Sequence, residues 1–91
     1  MGKKVKFNNR DRLIQIGIAI ATLRKIRGLS QEKLAEKARI SRFLLSVIEA
    51  PGIAHSFSLE VFFDIADALE VQPGELINAS LFPDHIINPK K

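Results

Sequence analysis

Two apolar-periodic segments, residues 31–38 and 42–49, are each about two helical turns long and only three residues apart. A helix this short is not stable alone in water. Neither can form unless it packs against the other and against a shared core. Each follows a serine, Ser30 or Ser41, whose hydroxyl oxygen can satisfy an amide at a helix start. The apolar positions of the pair are Leu34, Ala35, Ala38, Ile40, Leu45 and Ile48. Ala35 is small enough for the second helix to cross close to the first. Ile40 fills the corner between them, and Leu45 and Ile48 face the core. This is the spacing of a helix-turn-helix, whose second member can lie in a major groove.

The remaining segments supply the support. Leu13, Ile16, Ile20 and Leu23 form one stripe of a first helix running from about residue 9 to residue 27, ended by Gly28. Ala50-Pro51-Gly52 ends the third helix. A loop over residues 51–57 leads to Ser58, which caps a fourth helix reaching Leu69 and burying Leu59, Phe62, Phe63, Ala66 and Leu69. Pro73 is placed as the first residue of a fifth helix running to about Asn78. Residues 79–91 form a tail with Leu81, Phe82, Ile86 and Ile87 between two prolines, and its form is left open. No stretch alternates as a strand does. The expectation is an all-α chain with a basic arm (residues 1–8), one domain (9–78) and an apolar tail (79–91). At 91 residues there is room for a single core.

Ile14, Ile18 and Ala21 make a second apolar stripe on the first helix, roughly opposite the first. Such a helix is normally covered on both sides. The segment from Leu81 to Ile87, from the same chain or a second subunit, is the candidate cover.

Other chemistries are excluded or disfavoured. With no cysteine there is no disulfide framework and no thiolate metal site. His55 and His85 are too few to build a metal centre. Asp64, Asp67 and Glu70 read as a solvated helix face rather than a catalytic carboxylate pair. Ser41 and Ser46 have no histidine at a motif spacing. No enzyme, cofactor or small-molecule ligand is expected. The apolar run from Leu13 to Leu23 is only 11 residues, short of the roughly 20 a membrane helix needs. The reading is a soluble cytoplasmic protein.

Charge is divided along the chain. Residues 1–42 hold 12 basic and 3 acidic residues, a balance of +9, whereas residues 43–91 hold 2 basic and 7 acidic, a balance of −5. A chain divided this way can present one basic face to a polyanion.

The run from Ile16 to Ala38, with Arg27-Gly28-Leu29-Ser30-Gln31 at its centre, resembles the start of an XRE-type (Cro and phage-repressor-like) helix-turn-helix domain. The segments from Ile40 to Glu49 and from Ser58 to Leu76, with Ile65-Ala66-Asp67-Ala68-Leu69, complete it. The resemblance spans about Leu13 to Ile77. It implies a five-helix, lambda-repressor-like fold and a dimeric, sequence-specific DNA-binding regulator, with repression as the family's usual mode. It further implies that Arg42, Phe43, Ser46 and Val47 face base edges, and that Gln31 and Ser41 meet phosphate. Arg24 and Glu49 match a structural ion pair. Lys3, Lys4, Lys6 and Arg10 are candidates for a phosphate-binding arm, against the simpler reading of a solvated tail.

Three departures stand out. Arg39 occupies the turn position usually held by glycine. The loop after Glu49 is longer than the family pattern and has no lysine or arginine. Phe43, Leu44 and Val47 make the outer side of the third helix unusually apolar. Apolar side chains can read thymine methyl groups or dock a protein partner. The alternative function is therefore an interaction module such as an antitoxin component.

Overall fold

A computed structural model describes residues 9–81, which form five helices: α1 (Asn9–Ile26), α2 (Gln31–Ala38), α3 (Arg42–Glu49), α4 (Leu59–Leu69) and α5 (Pro73–Leu81). No strand occurs among the described residues. Three helices start alike. Ser30, Ser41 and Ser58 accept, through their side-chain oxygens, from the backbone N–H of Lys33, Leu44 and Val61 at 3.0, 2.9 and 3.1 Å. The start of α5 uses the reverse contact: the Gln72 N–H donates to the Glu75 carboxylate at 2.9 Å, with Pro73 in the first helical position.

Three helices also end alike. The chain turns left-handed at Gly28 (φ 76°), Arg39 (φ 61°) and Glu70 (φ 62°). The N–H of the next residue then reaches back to a carbonyl of the last turn: Leu29 to Arg24, Ile40 to Ala35 and Val71 to Ala66, each at 3.0 Å. Leu29, Ile40 and Val71 all pack on the core. Each turn thus closes a helix and drives an apolar side chain inward.

The core is formed by Ala19 and Ile20 of α1, Leu34, Ala35 and Ala38 of α2, Leu45 and Ile48 of α3, Phe62, Ile65, Ala66 and Leu69 of α4, and Leu76 and Ala79 of α5. Helix α3 packs on α1 and α2; α4 packs on α2 and α5; α5 also packs on α1. Helices α1 and α3 approach closely at one point. Gly17 is buried, and a Cβ placed on it would overlap the Ile48 carbonyl oxygen.

The expected all-helical architecture holds, with two corrections, to α4 and to the end of α5. Leu59 and Phe63, placed in the core by periodicity, are 69% and 45% exposed, because α4 turns Phe62, Ile65, Ala66 and Leu69 inward. Helix α5 continues past Asn78 to Leu81. Nothing in Ala79-Ser80-Leu81 opposes a helix, and burial of Ala79 holds the extra turn. On α1, Gly17 and Ala19 are buried, whereas Ile18 of the second stripe is 43% exposed and Ile14 and Ala21 are half-buried. The arm (1–8) and the tail from residue 82 lie outside the described residues, as does the proposed cover of that stripe beyond Leu81.

Two stability changes follow. Gly17→Ala forces α1 away from α3 and should lower stability by about 1–3 kcal/mol, read as a reduced midpoint in urea. Arg39→Gly relieves the left-handed arginine and should raise stability by about 1 kcal/mol in the same measurement.

Candidate nucleic-acid interface

Helix α3 is held from behind. At about 100° per residue, Leu45, Ile48 and Glu49 fall within one arc of α3 and Phe43, Ser46 and Val47 within the opposing one, while Arg42, seven residues before Glu49, lies nearly in line with it at the other end of the helix. The first three are buried. Arg42 is exposed and has no side-chain partner among the described residues. Phe43 is 77% exposed, an unusual position for so large an apolar side chain. Ser46 and Val47 are half-buried. The Ser46 hydroxyl donates to the Phe43 carbonyl at 2.7 Å, so its proton is used within the helix while its oxygen lone pairs can still accept.

Glu49 is the polar centre of the domain. Its side chain is 3% exposed. Arg24 Nε donates to Oε2 at 2.9 Å and to Oε1 at 3.2 Å, and Nη2 donates to Oε1 at 3.0 Å. Arg24 Nη1 donates to the Leu29 carbonyl at 2.8 Å. Gln31 Nε2 donates to Oε1 at 2.9 Å. One buried carboxylate therefore ties α1, the first residue of α2 and the last residue of α3 together. Several charge-assisted hydrogen bonds compensate the desolvation of its charge.

Beside this centre lies an open groove of about 340 Å³. Thr22, Lys25, Gln31, Ser46, Ala50 and Pro51 are among its lining residues. It joins the start of α2 to the end of α3. Ser41 is exposed and its side-chain oxygen accepts from Leu44 N–H, which makes it first a cap. Arg10 is exposed in the first turn of α1. Lys3, Lys4 and Lys6 lie outside the described residues.

Two contributions were not anticipated from the sequence. The Gln31–Glu49 hydrogen bond joins residues 18 apart, and no local spacing signals it. Arg27 donates from Nε to the Leu69 carbonyl at 2.8 Å and from Nη2 to the Glu70 carbonyl at 3.4 Å. It caps the electronegative end of α4. Of Arg24 and Lys25 in the last turn of α1 and Arg27 just beyond it, Lys25 alone has no side-chain hydrogen bond or ion pair among the described residues.

Among the described residues, no group of three histidine, cysteine or carboxylate side chains could hold a metal ion. No helix among them is long and apolar enough to cross a membrane.

The fold and the sequence agree with known proteins. A family model described as a helix-turn-helix domain matches residues 17–80. Among curated proteins none matches the chain. Among solved structures, the restriction-modification controller protein C.AhdI from Aeromonas hydrophila is similar with a TM-score of 0.65 and 33% sequence identity. That likeness covers 70% of this chain and 94% of the other. The chain belongs to the XRE-type family of helix-turn-helix DNA-binding regulators.

Proposed function

We propose that the protein is a sequence-specific transcriptional regulator, a repressor that occupies its operator as a homodimer with α3 in the major groove. The observation that carries this reading is the division of α3: a buried side locked to α1 and α2, and an outer side offering Phe43, Ser46 and Val47, with Arg42 exposed at the start of the helix. Arg42 supplies a two-pronged donor for guanine, and Phe43 and Val47 supply apolar contacts for thymine methyl groups. Gln31 and Ser41, at the starts of α2 and α3, meet phosphates on either side, where helix N-termini favour an anion. Arg39, exposed in the turn between the two helices, adds positive charge. The arm residues Lys3, Lys4 and Lys6, with Arg10, extend the contact along the backbone. The likeness to a restriction-modification controller supports a regulatory role of the same kind.

Two half-sites about 34 Å apart, or a multiple of that, match a symmetric dimer. Leu59 and Phe63 stand one turn apart on α4 and are exposed. They offer an apolar surface for the second subunit. The 77% exposure of Phe43 also favours a second reading, a protein-interaction module such as an antitoxin component. DNA binding separates the two: an interaction module gives only a flat, weak response even at low salt.

Three outcomes are expected. Binding should fall steeply, by at least about tenfold, between ~50 and ~200 mM salt in a gel-shift titration. Arg42→Ala should cost about 1–3 kcal/mol on the selected operator and relax preference at one base pair. Unchanged affinity and preference would remove Arg42 as a base reader. Replacing Leu59 and Phe63 by serine should leave the fold intact and shift the mass in sedimentation to that of a monomer.

A further inference from the structure

We infer that Glu49 is a positioning residue for DNA binding: through its hydrogen bond to Gln31 it fixes the amide that meets a DNA phosphate. This rests on the reading of Gln31 as a phosphate contact. A carboxylate only accepts hydrogen bonds, so the Gln31 amide must turn its nitrogen, not its oxygen, toward Glu49. One of its two N–H groups is used at 2.9 Å. The direction of the other is then set by the plane of the amide. Around it, the backbone N–H groups of Gln31 and Glu32 have no acceptor among the described residues, while those of Lys33 and Leu34 are satisfied by Ser30. Three donors are thereby grouped at the start of α2.

A carboxylate this near would ordinarily repel a phosphate. Here Arg24 neutralises it through contacts of 2.9 to 3.2 Å, so the pair orients Gln31 without adding net negative charge. The link also has a mechanical effect. Glu49 is the last residue of α3 and Gln31 the first of α2. The backbone contact and the base-reading face are thus joined through one buried group and hold one register.

A double-mutant cycle tests this with a mixed-sequence DNA duplex at low salt, each variant first shown to be folded by circular dichroism. Gln31→Ala should weaken binding about tenfold, the loss of one hydrogen bond to a charged group. Glu49→Gln should weaken it by a similar factor, and the double variant should bind no worse than either single one. If Glu49→Gln costs the same factor again in the Gln31→Ala background, its effect is general to the fold and the positioning role is overturned. If Gln31→Ala leaves affinity unchanged, the phosphate contact itself is wrong and the inference falls with it. Should Glu49→Gln fail to fold, the unaltered protein decides. In nitrogen-15 NMR the Gln31 side-chain amide should show two well-separated, slowly exchanging protons, both shifting as the duplex is added. A rapidly exchanging pair that ignores the duplex would overturn the inference.

Discussion

A single buried carboxylate organises this domain. Glu49 brings a full charge into the interior of a small protein, at a cost tolerable only while Arg24 and Gln31 remain on it. Its partners come from α1 and from the start of α2, so the ion pair forms only when three helices have found their places. Gly17 works on the same seam, admitting the α3 backbone to α1 where any side chain would stand in the way. With the end of α3 held in this manner, the helix can carry an exposed arginine and an exposed phenylalanine without those residues having to stabilise anything. The freedom of the outer face follows from the rigidity behind it.

The helix ends show a related exchange between stability and placement. Left-handed turns at Gly28, Arg39 and Glu70 close three helices with the same hydrogen-bond pattern, yet only the first uses the residue that suits the conformation. Arginine at the second turn costs on the order of 1 kcal/mol. In return, a cation stands between the two helices of the motif. Arg27, just past the end of α1, supports the third such turn by donating to the Leu69 and Glu70 carbonyls, which ties the end of α4 to the end of the first helix.

Much of this was legible in the sequence because it is local. Serine caps, the proline at the start of α5, Gly28 and the three-and-four spacing of Leu34, Ala38, Leu45 and Ile48 act within a turn or two, and the described helices follow them closely. The Arg24–Glu49 pairing was reachable through family resemblance rather than spacing. What escaped depends on orientation between elements. Periodicity alone put Leu59 and Phe63 inside, since α4 has apolar residues over more of its circumference than its neighbours can cover. The need for glycine at position 17 arises only from the Ile48 carbonyl of α3, which lies against it in the fold and not in the sequence. The Gln31–Glu49 contact has no signature at all in one dimension.

The charge division of the chain also acquires a spatial sense. Among the described residues after Arg42 there are six acids and no lysine or arginine. Apart from the neutralised Glu49 and Glu70 in the turn after α4, these acids lie on α4 and α5, neither of which packs extensively on α3. Helix α3 itself carries no acid but Glu49, which Arg24 neutralises. A polyanion approaching α3 therefore meets no unpaired carboxylate on that helix, while one approaching α4 meets three and is repelled.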